Sequence, residues 1–256
     1  MNTYMNQSLA SNYKSNSQKA RVLTESWTRD NVYCMRCGHP FVKKFENNKP
    51  VADFYCPHCH NIFELKSHQG HMGDKIADGA YDTLIERITS NTNPDFWILE
   101  YDKSDYHVEN FLTIPKFFFT PDIIEKRKPL KSPARRAGWI GSTIVVNEIP
   151  TDGRIYMVRE GLEIPHSIVM EQMKKASRFD EKNLSSRGWL MDTLRCVDKI
   201  ENQEFSLADM YAFEDVLHLK HTDNNHVRDK IRQQLQLLRN RGYIEFLDRG
   251  KYRKIK

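Results

Sequence analysis

Apolar and polar positions in the first two thirds of the chain follow alternating helical and strand periods. Residues 13–30 carry the helical spacing of Val22, Leu23 and Trp27, and residues 62–66 alternate apolar and charged side chains as a half-buried strand does. From Ile76 to Ile88, apolar residues recur at every fourth position, which predicts a helix packed on a sheet. Short apolar runs predict further strands at 96–99, 111–114, 144–146 and 155–158. This order of elements predicts an α/β layer built on a mixed sheet.

From about residue 184 the pattern becomes mostly helical. A first helix is marked by Leu190, Leu194 and Val197. The segment Ser206-x-x-Asp209 resembles a capping box and predicts the start of a second helix with four apolar positions inside it, Leu207, Met210, Tyr211 and Leu217.

A third helix is predicted after Asn224 or Asn225, either of which can cap it, and Gly242 closes it. Its apolar stripe is Val227, Ile231, Leu235 and Leu238. Residues 243–247 and 251–256 predict two strands joined by a turn at 248–250. Three helices followed by a hairpin predict a winged helix, so we expect domains at 1–183 and 184–256.

Composition argues against a membrane-spanning protein and against a secreted, disulfide-rich protein. The chain has 256 residues, of which 39% are hydrophobic and 29% charged, and no run approaches 18 uncharged apolar residues. This pattern predicts no transmembrane span. The first residues lack the basic and then apolar run of a secretory signal. Four of the five cysteines form CxxC pairs, while Cys196 stands alone, so we expect a reducing bacterial cytosol rather than a secreted disulfide framework.

The formal net charge is +5, and its distribution is more informative than its size. Residues 224–256 hold ten Lys or Arg against three Asp or Glu. A second basic island, between residues 121 and 139, consists of Lys126, Arg127, Lys128, Lys131, Arg135 and Arg136. Two basic islands on a nearly neutral chain indicate contact with a polyanion, although either one alone could be a solvated surface.

The cysteine spacing predicts a metal site. Cys34-x2-Cys37 and Cys56-x2-Cys59 are separated by 18 residues, a spacing typical of four-cysteine zinc sites. Redox chemistry and an iron–sulfur cluster are the alternatives, but two CxxC pairs at this spacing favour zinc. Four thiolates leave no open position for water, so we expect a structural Zn²⁺. The nearby histidines then belong to the surface: His39, His58, His60, His68 and His71.

A second signature, Asp53 followed by Glu64-Leu65-Lys66, interleaves with the cysteines. Phosphodiester hydrolysis needs a hard divalent ion, usually Mg²⁺, held by carboxylates beside an activated water. Glu64 and Lys66 differ by two positions and therefore point to the same side of a strand. A Glu-x-Lys pair alone is common on protein surfaces. Here, however, Asp53 and Glu64 flank the second CxxC pair, and a basic domain follows. Glu25, on the first predicted helix, is either an outer metal ligand or an ordinary surface glutamate, and we favour the surface glutamate.

Several runs of residues resemble the DpnI-type restriction endonucleases, and the resemblance spans nearly the whole chain. They are YKSNSQKAR (13–21), FENN (45–48), PVADFYC (50–56), FELKS (63–67), DGAY (78–81), ARRAGWIG (134–141), LSSRGW (184–189), KIRQQLQ (230–236) and RGKYRK (249–254). Lysines typical of the family after its Glu-x-Lys-Ser are replaced by His68 and Gln69, and residues 1–12 also differ.

The resemblance implies a PD-(D/E)xK catalytic core with an inserted zinc ribbon, joined to a winged helix that also binds methylated DNA. It implies cleavage of double-stranded DNA at GATC containing 6-methyladenine. Asp53 and Glu64 would hold Mg²⁺, Lys66 would be the catalytic lysine, and Cys34, Cys37, Cys56 and Cys59 would hold Zn²⁺. No obligate protein partner and no membrane are implied.

Candidate DNA-binding residues lie in both domains. In the first, residues 134–141 form the candidate reading loop, where Arg135 and Arg136 suit phosphates or guanine and Trp139 offers an apolar plate to methyl groups; the alternative for Trp139 is an ordinary core position. In the second, the start of the third helix should enter the major groove with Asn224, Asn225, His226, Arg228, Lys230, Arg232 and Gln233. On the wing, the phosphate contacts are Arg249, Lys251, Arg253 and Lys254, whereas Trp189 and Cys196 are expected to pack internally.

Two other functions remain open from the residues alone. A zinc ribbon with a winged helix could regulate DNA without cutting it, although such a protein has no need of Asp53, Glu64 and Lys66. The same catalytic core could instead cut unmethylated or structured DNA.

Overall fold

The computed structural model describes residues 1–46, 52–90 and 92–255. The strands of this part of the chain are β1 (Lys43–Lys44), β2 (Phe54–Tyr55), β3 (Ile62–Gln69), β4 (Lys75–Ala80), β5 (Asp95–Tyr101), β6 (Val108–Ile114), β7 (Ile124–Lys126), β8 (Gly141–Val145), β9 (Ile155–Arg159), β10 (Leu162–Glu163), β11 (Glu204–Ser206), β12 (Ile244–Asp248) and β13 (Lys251–Lys254). The helices are α1 (Asn16–Asn31), α2 (Tyr81–Thr89), α3 (His166–Ala176), α4 (Leu184–Lys199), α5 (Leu207–Tyr211), α6 (Glu214–Lys220) and α7 (Val227–Asn240).

The central sheet contains seven strands in the order β1-β2-β3-β5-β6-β9-β10. Strands β3 and β5 run parallel, and the other neighbours in this sheet run antiparallel. A second sheet has the order β4-β8-β7. The expected mixed α/β architecture is therefore confirmed, and the predicted strands correspond to β3, β5, β6, β8 and β9.

Aromatic side chains fill the face of the central sheet that lies under α1. Phe63 and Trp97 stack with ring centroids 4.0 Å apart, and Trp27 of α1 lies 5.4 Å from Phe111. All four side chains are buried. Burial of this size stabilises by roughly 2 kcal/mol or more for each large side chain, so the aromatic layer fixes α1 against β3.

The predicted helix over residues 76–88 is wrong in its first half. Residues of β4 pair with β8, with Ile76 opposite Ile144 and Asp78 opposite Ser142, and α2 begins only at Tyr81. Ile76 and Leu84 are both buried, but on two different elements. Pairing with a strand about 65 residues later overrides the local spacing.

The C-terminal part consists of α4 to α7 and a sheet with the order β11-β13-β12. The capping box at Ser206 is present, since Ser206 and Asp209 bond each other's backbone N–H groups. Gly242 has a φ of +70° and ends α7 as predicted. The hairpin of β12 and β13 is also confirmed, and the predicted strand end at Lys256 lies outside the described residues, as do parts of the runs at 45–48 and 50–56.

Two details of this part differ from the prediction. The second helix is divided, because α5 ends at Tyr211 and Leu217 lies on α6. Glu214 and Asp215 at the start of α6 favour a new helix N-terminus through the helix dipole. His226, not an asparagine, is the N-cap of α7; the Asn224 side chain instead accepts a hydrogen bond from His226 N at 2.7 Å.

Charged side chains join α4 to the segment around Asp122. Arg195 donates to Asp122 Oδ2 at 2.5 Å and to Asp192 Oδ1 at 2.7 Å, and Lys220 bonds the same two carboxylates. This cluster connects the C-terminal helices to the part of the chain that carries the central sheet. In the described residues, no helix has the length and apolar character needed to cross a bilayer.

Candidate functional site

The four CxxC cysteines gather at one point. Their Sγ atoms all lie within 4.8 Å of one another, with Cys34 to Cys59 and Cys37 to Cys56 each at 3.6 Å. A tetrahedral zinc with Zn–S bonds of about 2.3 Å requires sulfurs about 3.8 Å apart. The cluster therefore fits a zinc ion, and no histidine joins it in the part of the chain that the structure describes.

Both knuckles are built in the same way. Gly38 N donates to Cys34 O at 2.8 Å, and His60 N donates to Cys56 O at 3.0 Å. Gly38 and His60 both adopt a positive φ, of +76° and +59°, which turns the chain back after each cysteine pair. The backbone N–H groups of His58 and Cys59 point at Cys56 Sγ, each at 3.4 Å. Burial acts to raise the pKa of Cys56, but these two donors, together with the thiols of Cys59 and Cys34, outweigh it, so the pKa is lowered.

Four of the five nearby histidines, His58, His60, His68 and His71, are exposed, as expected for surface residues. His39 is half-buried and its ring stacks on His58, with centroids 5.6 Å apart. This histidine is therefore not the ordinary surface residue that the sequence predicts.

A buried ion pair fastens the zinc knuckle to the central sheet, and sequence reasoning missed it. Arg36, between Cys34 and Cys37, donates through Nε and Nη2 to Asp95 at 2.8 and 2.9 Å. Asn61 Nδ2 and Lys116 N also donate to Asp95, at 2.6 and 2.8 Å. The Asp95 side chain is fully buried at the start of β5. The three charge-assisted hydrogen bonds from Arg36 and Asn61 therefore hold the cysteine cluster beside β5.

Glu64 and Lys66 lie on the same face of β3 and touch. Lys66 Nζ donates to Glu64 Oε1 at 2.6 Å and also to the Asp78 carboxylate of β4. Arg87 of α2 approaches the other Glu64 oxygen, with Nη1 3.2 Å from Oε2. Burial acts to lower the pKa of Lys66, but the charges of Glu64 and Asp78 outweigh it, so the pKa is raised and the amine stays protonated.

Asp53 reaches the main chain between these two residues. The β2–β3 pairing sets Phe54 opposite Phe63, which places Asp53, the residue before β2, beside Glu64. The Asp53 carboxylate accepts a hydrogen bond from Leu65 N at 2.7 Å. Burial raises the pKa of Asp53, the Leu65 N–H lowers it, and the negative charge of Glu64 raises it again; the net pKa is above its ordinary value.

A cavity of about 380 Å³ opens beside Asp53. It lies between α1 and the face of β3 that carries Leu65 and Ser67, and Glu25 is among its lining residues. Glu64 and Lys66 are not, since alternate residues of a strand face opposite sides. The structure thus joins Asp53 to Glu64 and Lys66 through the backbone of β3 and does not arrange the three around this cavity.

Glu25 differs from the favoured expectation of a surface glutamate. Its side chain is only 14% exposed and pairs with Lys44 Nζ at 2.6 Å and with Arg21 Nε at 3.1 Å. Its negative charge also contributes to raising the pKa of Asp53. Glu25 therefore belongs to the acidic surroundings of Asp53.

The donor set suits a hard divalent ion. Asp53 and Glu64 supply carboxylate oxygens, the ligands that Mg²⁺ prefers. Glu64 Oε2 is buried and accepts no hydrogen bond, although Arg87 lies within ion-pair distance. A metal ion at Glu64 would replace Lys66 as the partner of this carboxylate.

In the candidate reading loop, residues 134–138 are exposed, Trp139 and Ile140 are half-buried, and Gly141 is buried as the first residue of β8. Residues 127–138 lie on the surface between β7 and β8, and the loop is closed by Leu130 N donating to Trp139 O at 3.0 Å and Gly138 N to Leu130 O at 2.8 Å. Arg135 and Arg136 are exposed. Trp139 is half-buried, so it is not a core tryptophan, and its ring covers Gly141 so closely that a Cβ there would lie 2.8 Å from it.

The candidate residues of the third helix lie at or near the start of α7. Asn225, His226, Arg228, Arg232 and Gln233 are exposed, and Asn224 and Lys230 are half-buried. Two arginines share Tyr211: Arg228 lies over its ring at 5.0 Å, and Arg232 donates to its hydroxyl at 2.6 Å.

The wing residues differ in their surroundings. Arg249 and Lys251 are exposed, whereas Arg253 is held between Glu204 and Glu245, at 2.7 and 2.8 Å. Lys254 is half-buried, and its ammonium bonds Ile200 O. Trp189 and Cys196 are buried as predicted, and Trp189 stacks on His221 with ring centroids 3.9 Å apart.

Two charged residues of the site, Asp78 and Arg87, were not predicted. A signal for Asp78 was present, since it begins the DGAY run that carries part of the family resemblance. Arg87 gives no such signal, because its approach to Glu64 depends on how α2 packs against the sheet.

Two protein-family models match the chain. The family model DpnI, described as the Dam-replacing family, matches residues 1–182. The model DpnI_C, described as the Dam-replacing HTH domain, matches residues 185–254. A helix-turn-helix domain indicates DNA binding. With most of the chain matched, this protein belongs to the DpnI, or Dam-replacing, family.

Proposed function

We propose that this protein is a methylation-dependent type II restriction endonuclease. Its substrate is double-stranded DNA at GATC containing 6-methyladenine, and its cofactors are catalytic Mg²⁺ and structural Zn²⁺. Family membership supports the class of enzyme. The contact of Glu64 with Lys66 beside Asp53 is the observation that carries the chemistry, because a DNA-binding regulator has no need of it.

We further propose that the chain forms two domains. Residues 1–183 form a PD-(D/E)xK catalytic domain stapled by the four cysteines, and residues 184–256 form a winged-helix DNA-binding domain. The two family matches, which end at 182 and begin at 185, support this division.

The proposed roles follow from charge and position. Asp53 and Glu64 would hold Mg²⁺, which supplies positive charge to the scissile phosphate and lowers the pKa of a bound water. Lys66 stays protonated beside Glu64 and Asp78, so its ammonium can orient the attacking water or offset the charge that develops on phosphate. All three groups are half-buried, which strengthens these interactions relative to water.

Methyl groups are recognised by apolar surface. The adenine N6-methyl projects into the major groove, where a donor or acceptor of the protein would be blocked. Burial of one methyl is worth roughly 1 kcal/mol, which is too little for strict selection by a single contact. Trp139 and the start of α7 would each bind methylated DNA in preference to unmethylated DNA. Because both belong to one chain, the two preferences multiply.

Digestion of one plasmid in two methylation states tests this function. The protein is incubated with Mg²⁺ and with plasmid that either carries or lacks 6-methyladenine at GATC. We expect cleavage of the methylated plasmid alone, and none when EDTA replaces Mg²⁺. Binding without cleavage would leave only a DNA-binding regulator, and equal cleavage of both plasmids would remove the dependence on methylation.

A further inference from the structure

We propose that Asp78 is a positioning residue that holds the Lys66 ammonium in place when Glu64 binds the catalytic metal. This inference rests on the proposed nuclease function and assigns a role to a residue outside the Asp53, Glu64, Lys66 set.

The Lys66 ammonium has three N–H donors, and the structure directs them at two carboxylates. One is Glu64 Oε1 at 2.6 Å, and the other is Asp78 Oδ1. The Lys66 side chain is only 19% exposed, so bulk water is a poor substitute for either carboxylate. The ammonium also lies 6.0 Å from the centre of the Phe96 ring, over its face.

Lys66 would lose one of these two partners if Glu64 held a divalent ion, since the carboxylate charge would then be shared with the ion. Asp78 would remain as the anion that keeps Lys66 at the site. Without it, a long and flexible side chain would lose its fixed orientation.

Asp78 is itself fixed, as a positioning residue must be. Its side chain is 8% exposed, and its Oδ1 accepts a hydrogen bond from Gly79 N at 2.6 Å. Its backbone lies in β4, opposite Ser142 of β8, next to an irregularity in the strand pairing between Asp78 and Ala80. Asp78, the tether of Lys66, therefore belongs to the second sheet, whereas Lys66 belongs to the central sheet.

Arg87 has the matching position on the other side of Glu64. Its Nη1 lies 3.2 Å from Glu64 Oε2, the oxygen that Lys66 does not contact. With Arg87 beside Glu64 and Asp78 beside Lys66, each of the two groups keeps a partner of opposite charge when the bond between them is broken.

The test uses Asp78→Asn in the full-length, zinc-loaded protein. Asparagine keeps an amide oxygen for Gly79 N and removes the negative charge. Loss of a partner that orients a group at a metal site typically costs about 10–100-fold, so we expect kcat on methylated GATC duplex to fall by that factor. We expect KM, zinc content and melting temperature to stay near the wild-type values. Asp74→Asn, the same substitution at an exposed position, is the matched control and should keep wild-type kcat.

A second arm removes the lysine. If Asp78 acts through Lys66, then Asp78→Asn causes no further loss in a Lys66→Gln background. Asp78→Glu restores a carboxylate and should recover part of kcat. Wild-type kcat in Asp78→Asn, or a full additional loss in the double variant, would overturn the proposal.

A third arm does not depend on cleavage. The zinc-loaded protein is labelled with ¹⁵N-lysine and kept free of Mg²⁺, and Glu64→Gln removes the carboxylate charge that a metal ion at Glu64 would take up. An ordered ammonium gives an observable ¹H–¹⁵N signal, which Lys66→Arg assigns by its absence. We expect the Lys66 signal to persist in Glu64→Gln, alone or with Asp74→Asn, and to weaken or disappear in Glu64→Gln with Asp78→Asn. An unchanged signal in Glu64→Gln with Asp78→Asn contradicts the tether. Absence of cleavage by the wild-type protein, with the tether signal intact, contradicts the nuclease function and leaves the tether standing.

Discussion

Substitution of Arg36 by Met should destabilise the protein by about 3 kcal/mol. Arg36 donates two hydrogen bonds to Asp95, whose side chain is fully buried. Breaking a buried ion pair costs about 3–5 kcal/mol, because it leaves an uncompensated charge. The lower end of the range applies, since Asn61 Nδ2 and Lys116 N still donate to the carboxylate.

The matched control is Arg29→Met. Arg29 pairs with Asp30 at 2.7 Å, but both side chains are more than half exposed, so the loss should stay below about 1 kcal/mol. Both variants keep all four cysteines of the zinc cluster. Stability is measured by guanidinium unfolding of zinc-loaded protein, followed by tryptophan fluorescence, with zinc content checked in each sample. Equal losses in the two variants, or a loss in Arg36→Met below about 1 kcal/mol, would refute the proposed anchoring of the knuckle.

Three further predictions concern zinc, tryptophan and pH. Cys34→Ser should abolish the binding of one zinc per chain, measured by atomic emission, whereas Cys196→Ser, at the buried cysteine outside the cluster, should retain it. Trp189→Ala should lower the free energy of unfolding by about 3–5 kcal/mol, because this side chain is buried; Trp139→Ala, at a half-buried position, should change stability much less and weaken binding to methylated duplex in a gel-shift assay. Burial acts to raise the pKa of Asp122, but Arg195 and other neighbouring groups outweigh it and lower the pKa from 3.8 to about 2. The ionised Asp122 carboxylate therefore stabilises the fold above pH 3.8, and this stabilisation is lost as the pH falls towards 2. The difference in melting temperature between wild type and Asp122→Asn should shrink over that interval, and a constant difference would contradict this assignment.

Features that depend on neighbours along the chain could be predicted from the sequence. The alternation at residues 62–66 indicates β3, and the apolar runs indicate β5 and β6. The Ser206-x-x-Asp209 spacing indicates the capping box that begins α5. The CxxC spacing alone indicates the four-sulfur cluster. Each of these signals is contained in a few residues.

Features that depend on distant pairing could not be predicted in the same way. Residues 76–80 carry helical spacing but form a strand because β8 is available to pair with them. The Arg36–Asp95 ion pair joins residues 59 positions apart, and nothing in the local spacing marks either one. Asp78 and Arg87 meet Lys66 and Glu64 only after the second sheet and α2 have packed against β3.

The arrangement of the three proposed catalytic groups is the part of the site that the pattern predicted least well. Same-side placement of Glu64 and Lys66 follows from their spacing on one strand. Asp53, however, lies beside the backbone of β3, with its cavity on the α1 side. The position of this aspartate depends on how β2 pairs with β3, which the spacing of residues along the chain cannot show.

The most direct test of the central claim follows binding and cleavage of one methylated GATC duplex by Asp53→Ala. Binding is measured in Ca²⁺ and cleavage in Mg²⁺, with the wild-type protein alongside. The account predicts that the variant binds the duplex with near wild-type affinity and leaves it uncut, while the wild type cuts it. Cleavage by Asp53→Ala at the wild-type rate would contradict the assignment of Asp53, Glu64 and Lys66 as the nuclease site.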